Sequence, residues 1–329
     1  MPPSAKRQWS PDRAFPRRAG FAASIALAAM LPFVLGGFAT YTLTFAGIYA
    51  IAVIGLNLLI GYNGQFSLGH SAFYALGGYT TAILSNRLGI PAYATFPASA
   101  VVGFLAGVAI GYPASRLEFI YLALTTFALS LVVPQVLKSS WLEGITGGVQ
   151  GLYLDRPQVP AGLPLSPDEW WYFVTAATLL VMWWLARNLV NGRFGRAMIA
   201  VRDDPIAAAA MGIQVARCKA ITFGLSAACA AVAGSLGALM MEFIAPDTFT
   251  FFFAITLLVG SVIGGAESIS GAVLGGLFLV YMPRIANDIS KNLTWPVYGI
   301  MLILTVWILP NGAVGLLRMI SERAARRQD

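Results

Sequence analysis

The chain has 329 residues, of which 58% are hydrophobic and 11% are charged, and it carries a formal net charge of +7. Soluble domains use roughly 25% charged residues, so this composition excludes an ordinary soluble enzyme or binding domain and indicates a polytopic membrane protein. The basic residues are spread over short loops and tails, which excludes a nucleic-acid-binding patch with interleaved aromatic residues.

Ten charge-poor segments follow one another along the chain. Each is a candidate membrane helix, because a hydrocarbon core about 30 Å thick needs roughly 20 apolar residues. The first three share residues 19–86, which contain no Asp, Glu, Lys or Arg. Two of the ten are short, so we predict an all-α transmembrane bundle of about 8 to 10 spans. The segments are residues 20–38, 41–61, 66–85, 93–113, 117–137, 169–187, 218–241, 249–265, 270–286 and 295–311.

The distribution of basic residues predicts the topology. If all ten segments cross, both termini share a side, and that side receives 16 of the 21 basic residues. The positive-inside rule therefore predicts cytoplasmic termini. The chain then divides into a basic N-terminal tail (1–19), a transmembrane domain (20–311) and a basic C-terminal tail (312–329). Two long loops interrupt the domain, an external one at 138–168 and a cytoplasmic one at 188–217.

A polar, glycine-rich break at residues 61–69 divides two of the predicted spans. Nothing in a bilayer satisfies a frayed backbone, so the polar side chains at this break must face protein or a water-lined cavity. A second glycine-rich polar stretch lies at 260–276, and two interrupted hydrophobic stretches are typical of a translocation site near the membrane midplane. A passage for a solute is the first hypothesis.

Three ridges of small residues predict close contacts between membrane helices. Residues spaced by four lie on one face of a helix, and small side chains there let two backbones approach. Alone, the ridges indicate a bundle and give no function. They are Gly103, Gly107 and Gly111; Ala230, Gly234 and Ala238; and Gly271 with Gly275.

A short helix is predicted inside the loop at 188–217. Asp203 or Asp204 is a good N-cap, Pro205 suits the first helical position and Gly212 can end the helix. A rod of about two turns is far too short to cross a membrane, so we expect it outside the bilayer. Its alanine face suits either the cleft of a cytoplasmic partner or plain solvent, and both interpretations stay open at this point.

The chain offers no group that could power transport itself. Its 14 acidic residues fall in tails, loops or span ends, which leaves His70 as the one candidate for ion coupling at membrane depth. No Gly precedes any Lys, so there is no Walker A sequence to hold ATP. Metal-site spacings and a GxSxG nucleophile elbow are missing as well. We expect no enzyme activity and no cofactor, with free energy supplied by a separate subunit.

Four sequence blocks spread over most of the chain form a specific pattern. The first is GLNLLIGYNGQFSLGHSAFYALGGYTTAIL, residues 55–84. The others are YLALTT followed by ITGGVQGL within 121–152, FGRAMIAVRDDPIAAAAMGI at 194–213, and VGSVIGGAESISGAVLGG at 259–276. Together they resemble the permeases of branched-chain amino acid ABC importers, specifically the LivM type. The first block is similar to that family's signature N-L-L-x-G-Y-x-G-Q-x-S-L-G-H-x-A-F.

The resemblance implies a subunit of the bacterial inner membrane, surrounded by lipid, that works in a larger importer. The implied partners are a second, LivH-type permease, two ATPase subunits that bind the ATP, and an external solute-binding protein. The short helix becomes a coupling helix that contacts the ATPases. The coupling residues are Arg202, Asp203, Asp204, Pro205, Ala208, Ala209 and Gly212.

The translocation pathway is assigned to the break in the first block. The alternative for each polar residue is hydrogen bonding between helices without contact with the solute. The pathway residues are Asn57, Asn63, Gln65, Ser67 and His70, with Gly61, Gly64 and Gly69 shaping the backbone.

Two departures from the family pattern leave the solute open. Glu267 stands where family members commonly keep Gly, and Ser130 and Pro134 replace an acidic and a basic residue. Branched-chain amino acids are the expected solutes, with urea or amides as the alternative for the same importer type. A stand-alone channel for a neutral solute and a membrane scaffold that transports nothing are rival hypotheses. For Glu267 itself, a solvated side chain is favoured over a salt bridge to the cytoplasmic loop.

Overall fold

A computed structural model describes residues 18–117, 119–160, 162–289, 291, 294–308 and 312–315. These residues form α-helices almost throughout, so the all-α prediction is confirmed, with one two-residue antiparallel ladder between β1 (Leu152–Tyr153) and β2 (Phe243–Ile244). The helices are α1 Arg18–Val34, α2 Gly37–Leu56, α3 His70–Leu88, α4 Ala92–Ala114, α5 Phe119–Leu137, α6 Ser140–Thr146, α7 Pro167–Asn191, α8 Arg193–Asp203, α9 Pro205–Ala210, α10 Val215–Met241, α11 Phe251–Gly264, α12 Gly271–Ile289 and α13 Thr294–Ile308.

Each of the ten predicted segments coincides with a helix to within about one turn. The match is expected because a backbone in hydrocarbon must satisfy its polar groups internally. Within the described ranges, six helices are long and apolar enough to cross a membrane, which makes the chain a polytopic membrane protein. The six are Gly37–Tyr62, Ala92–Ala114, Ile120–Leu137, Pro167–Asn191, Val215–Met241 and Gly271–Ile289.

Helix α10 is the centre of the bundle. In the most apolar stretch of α10, 94% of the residues are buried, whereas in that of α7 only 17% are buried. The sequence explains the difference: α10 is rich in Ala, Gly and Ser on all sides, whereas α7 carries Leu, Val and Trp. Small side chains let α10 contact α2, α3 and α4 at once.

The three predicted ridges of small residues all lie in helix contacts. The ridge of α4 packs on α10, where a Cβ on Gly107 would lie 2.8 Å from the Cα of Gly224. The ridge of α10 lies against the backbone of α3 at Gly234, and the ridge of α12 lies against α11 at Gly275. These contacts leave no room for larger side chains, so the ridges fix the helix spacing.

Substitution of Gly77 tests the approach of α3 to α10. A Cβ there would overlap the backbone of Ala231, so Gly77→Ala should destabilise the protein by about 1–3 kcal/mol. Thermal unfolding in detergent should show a lower Tm. The matched control is Gly299→Ala, because a Cβ on this helical glycine meets nothing within 4 Å. Equal Tm changes for the two variants would contradict the assigned packing.

Candidate functional site

The span that begins with α2 ends in an irregular, polar segment. It continues as a π-helical turn, Asn57–Tyr62, and the chain reverses at Gly64, whose φ is +71°, before α3 begins. We call residues 57–70 the polar seam. π-helical turns often occur at functional sites. All eight predicted pathway residues lie in the seam, and its five polar ones are at most 2% exposed, each in contact with protein.

Asn57 joins the seam to the turn at residues 265–270, which we call the second polar turn. Its Nδ2 donates to the Ser268 carbonyl at 2.7 Å, and its Oδ1 accepts from Ser261 Oγ at 2.6 Å. A Cβ on Gly61 would overlap a carbonyl of the same turn. The two glycine-rich polar stretches that sequence analysis paired therefore meet in space.

The middle of the seam is bonded to the beginning of α10. Asn63 Nδ2 donates to Thr222 Oγ1 at 3.1 Å, and its Oδ1 accepts from Gln65 Nε2 at 3.0 Å. Gln65 Nε2 also donates to the Lys219 carbonyl at 3.0 Å. These bonds connect helices of one chain, which is the arrangement that the alternative interpretation expected.

His70 lies in a chain of hydrogen bonds that uses both of its ring nitrogens. Ser226 Oγ donates to the Gly55 carbonyl at 2.6 Å, so its oxygen accepts from His70 Nε2 at 2.7 Å. An imidazole that is only 1% exposed is neutral, because burial of an unpaired charge is costly, so its Nδ1 accepts from Ser67 Oγ at 3.1 Å. Both ring nitrogens of this neutral histidine are used by protein groups, so the residue serves to connect α2, α3 and α10.

Two further glycines of the seam are required by their surroundings. Gly64 has a left-handed backbone, and a Cβ there would lie 2.8 Å from Cγ of Arg202. A Cβ on Gly69 would lie 2.8 Å from the Thr126 carbonyl, and Thr126 Oγ1 accepts from the Leu68 N–H at 3.0 Å. The YLALTT block of α5 thus packs directly on the seam.

The short helix predicted in the loop at 188–217 is α9, and its predicted ends are confirmed. The Asp204 carboxylate accepts from the backbone N–H groups of Ile206 and Ala207, the second and third residues of the helix, at 2.9 and 3.0 Å. Gly212, with φ of +85°, follows the last turn. Asp203, the other candidate cap, instead pairs with Arg202 Nε at 3.0 Å.

The exposed surface of α9 includes most of the predicted alanine face. Ala207, Ala209 and Ala210 are exposed, whereas Ala208 is buried against the rest of the chain. Ile206 and Met211 are 83% and 85% exposed, and sequence reasoning did not single them out. The available signal was a pair of large apolar residues at the two ends of a capped helix in a charged loop.

Sequence reasoning also missed α8, which precedes α9. Its apolar side chains at Met198, Ile199 and Val201 are buried, while Arg196 on the opposite face is exposed. This amphipathic alternation is the signal that could have revealed the helix. Because α8 and α9 are separated by Asp204 alone, the loop at 188–217 is a structured unit.

Arg202 connects this unit to the polar seam. Its Nη1 donates to the Gly61 carbonyl at 2.5 Å and lies 3.4 Å from Glu267 Oε1. The Glu267 backbone carbonyl accepts from Tyr62 Oη at 2.8 Å. The Glu267 side chain is 61% exposed, as expected, but the salt bridge that was disfavoured is also present. The seam, the second polar turn and the α8–α9 unit therefore form one cluster at the same end of the bundle.

Comparison with known proteins gives a match over most of the chain. A family model described as the permease component of branched-chain amino acid transport systems matches residues 38–306. The LivM permease protein of the high-affinity branched-chain amino acid transport system of Escherichia coli (strain K12) is 28% identical over 90% of this chain and 74% of its own length.

Two further relatives carry related names. The BraD permease protein of the corresponding Pseudomonas aeruginosa system is 27% identical over 83% of this chain and 93% of its own length. The LivH permease protein of Salmonella typhimurium is 24% identical over 83% of this chain and 92% of its own length. The family match at residues 38–306 contains the seam, the second polar turn and the α8–α9 unit.

A double-mutant cycle tests the histidine network. Ser226→Ala removes the acceptor of His70 Nε2 and the donor to the Gly55 carbonyl, so it should destabilise the protein by about 1–3 kcal/mol. His70→Ala should cost less in the Ser226→Ala background than alone, with a coupling energy of about 1 kcal/mol from unfolding measurements. Thr80→Ala is the matched control, since that hydroxyl donates to a carbonyl of its own helix. Strict additivity of the His70 and Ser226 substitutions would contradict the assigned bond.

Proposed function

The chain belongs to the family of permease components of branched-chain amino acid transport systems, and on this premise we propose that it forms half of the translocation pathway of an ABC importer. The LivM and LivH relatives imply an importer of several subunits. In the proposal, a LivH-type permease supplies the other half of the pathway. Two ATPase subunits bind and hydrolyse ATP, and an external solute-binding protein delivers the solute.

One observation carries this proposal: the capped helix α9 exposes large apolar side chains at the surface of the chain. Ile206 and Met211 are almost fully exposed, and exposed apolar groups of this size commonly mark an interaction site. The charged residues Asp203, Asp204 and Arg217 flank them, which argues against the hydrocarbon core as their environment. A cleft in an ATPase subunit would cover this face, and α9 would then be the coupling helix.

The predicted coupling residues take different parts in this arrangement. Asp204, Pro205 and Gly212 set the beginning and end of α9, and Ala208 seats it on the chain. Ala209 is exposed as well and follows Ile206 by about one turn. Arg202 and Asp203 lie at the end of α8, directly before the helix.

The polar seam is proposed to border the pathway. Its polar side chains bond to α10 and the second polar turn, so they would hold the shape of the wall while the solute passes beside them. Movement of α9 by the ATPases would rock the bundle between outward-open and inward-open states. Such a shift requires that the ATPases contact the two states differently.

Orientation and location follow from the same proposal. The α8–α9 unit would lie in the cytoplasm with both terminal tails, residues 1–19 and 312–329, and residues 138–168 would face outward. The excess of basic residues on the α9 side supports this orientation. The membrane would be the bacterial inner membrane, crossed 8 to 10 times by residues 20–311.

Branched-chain amino acids are the proposed solutes, and urea or amides are the alternative for the same importer type. The seam at 57–70 carries no Asp, Glu, Lys or Arg, which suits a solute without net charge. Affinity would come mainly from the external binding protein.

Substitutions on the exposed face of α9 test the proposal. Ile206→Asp and Met211→Asp should each weaken binding of the ATPase subunits about tenfold or more, because both remove apolar contacts at the centre of the proposed interface. Co-purification of the ATPases and solute uptake into vesicles that hold the whole importer should fall together. Both side chains are exposed, so the Tm of the chain itself should not change.

Ile206→Leu is the matched control and should keep uptake, since it preserves the apolar face. Full uptake by both aspartate variants with ATPases bound would contradict the proposal. Nucleotide-independent release of leucine or urea from vesicles that hold this chain alone would instead support the stand-alone channel. Uptake of neither solute by the whole importer would support the scaffold hypothesis.

A further inference from the structure

One side chain contacts the seam, the second polar turn and the α8–α9 unit, the three parts of the cluster. Arg202 lies in the last turn of α8, two residues before the cap of α9. Its guanidinium contacts the Gly61 carbonyl, the Glu267 carboxylate and the Asp203 carboxylate, at 2.5, 3.4 and 3.0 Å. Three separate elements therefore meet on a single cation.

We propose that Arg202 is the positioning residue that transmits displacement of the α9 helix to the π-helical turn of the polar seam. The inference rests on the proposed coupling function of α9 and adds the route by which its movement reaches the translocation pathway. In this role the bond from Nη1 to the Gly61 carbonyl is the essential one, and the contact with Glu267 orients the guanidinium.

The geometry of the side chain supports this role. A guanidinium presents five donors in a rigid planar fork, so it holds a carbonyl and two carboxylates in fixed directions, whereas an ammonium group offers three donors around one compact nitrogen. The aliphatic stem of Arg202 runs against the backbone of Gly64, where a Cβ would lie 2.8 Å from Cγ. The seam therefore contacts both the aliphatic part of the Arg202 side chain and its guanidinium, so the side chain has little freedom to change rotamer.

The burial of the cluster gives the bond its strength. The Arg202 side chain is 26% exposed, and the Gly61 backbone lies against a carbonyl of the second polar turn. A hydrogen bond from a cation is roughly twice as strong as a neutral one. Asp203 and Glu267 are 63% and 61% exposed, so their ion pairs are screened by water and matter less.

The connection to α9 is short and stiff. Asp204 alone separates α8 from α9, and Met198 and Val201 anchor α8 in the core with exposures of 0% and 1%. Displacement of α9 would thus pull on the last turn of α8, and Arg202 is the residue of that turn that reaches the seam. The receiving element is the π-helical turn, whose backbone bonds can rearrange toward regular helix.

The test uses the whole importer and follows two segments at once. Deuterium uptake is compared between the nucleotide-free importer and the importer trapped with ATP and vanadate. In the wild type, trapping should change exchange at residues 57–64 and at 205–212. In Arg202→Ala the ATPases should still co-purify and the change at 205–212 should persist, but the change at 57–64 should be lost. Solute molecules taken up per ATP hydrolysed should fall about tenfold.

Two variants sharpen the result. Arg196→Ala is the matched control, because Arg196 is an exposed arginine of the same helix, and both segments should respond as in the wild type. Arg202→Lys keeps the charge but not the fork, so its uptake per ATP should also fall. If Arg202→Ala does not yield folded protein, Arg202→Lys decides the question in the same assay.

Each contrary result has a distinct meaning. An unchanged response at 57–64, or unchanged uptake per ATP, in the Arg202 variants would overturn the proposed transmission. If Arg202→Ala altered deuterium exchange relative to the wild type equally in the nucleotide-free and the trapped importer, Arg202 would have a purely structural role. That result would overturn the proposed transmission as well. Loss of ATPase binding in Arg202→Ala would make Arg202 a docking residue and would also overturn it. A wild-type chain that binds no ATPase would instead refute the coupling function itself.

Discussion

An interrupted helix in a bilayer must have its freed backbone and polar groups satisfied by protein, and the polar seam meets most of this requirement with groups from the same chain. Among its described side-chain atoms, Gln65 Oε1 is buried without a hydrogen-bond partner. Lipid offers no hydrogen bonds, so each loose group would cost several kcal/mol. The second polar turn bonds Asn57, helix α10 bonds Asn63, Gln65 and His70, and Arg202 binds the Gly61 carbonyl. The polar seam is therefore bonded closely to the elements around it.

This constraint links the interior of the bundle to its surface. A segment that is bonded to three neighbours cannot move alone, so any rearrangement of the seam involves α10, the second polar turn or α8. The small side chains of α10 allow close contact with three neighbours and keep this helix at the buried centre of the bundle. The amphipathic α8 then brings the connection out to α9, whose large apolar side chains Ile206 and Met211 are exposed.

The features that depend on local physics could be predicted from the sequence. The ten segments became helices because apolar length decides helix formation in a membrane, and α9 formed where Asp204, Pro205 and Gly212 supply its cap, first residue and end. The features that depend on distant partners could not. The sequence around a buried polar residue is the same whether that residue contacts a solute or Ser226 on another helix, and only the fold shows its partner. Likewise, the face of α9 that turns outward is set by how α8 seats it.

The central claim, that α9 is held by an ATPase, is tested most directly by photocrosslinking. A benzophenone amino acid placed at Met211, which is 85% exposed, samples only groups within a few ångströms of the helix. After irradiation of the importer in its native membrane, mass spectrometry identifies the adduct. The account predicts a protein that carries a nucleotide-binding P-loop. An adduct with phospholipid alone would place α9 in the bilayer and contradict the account.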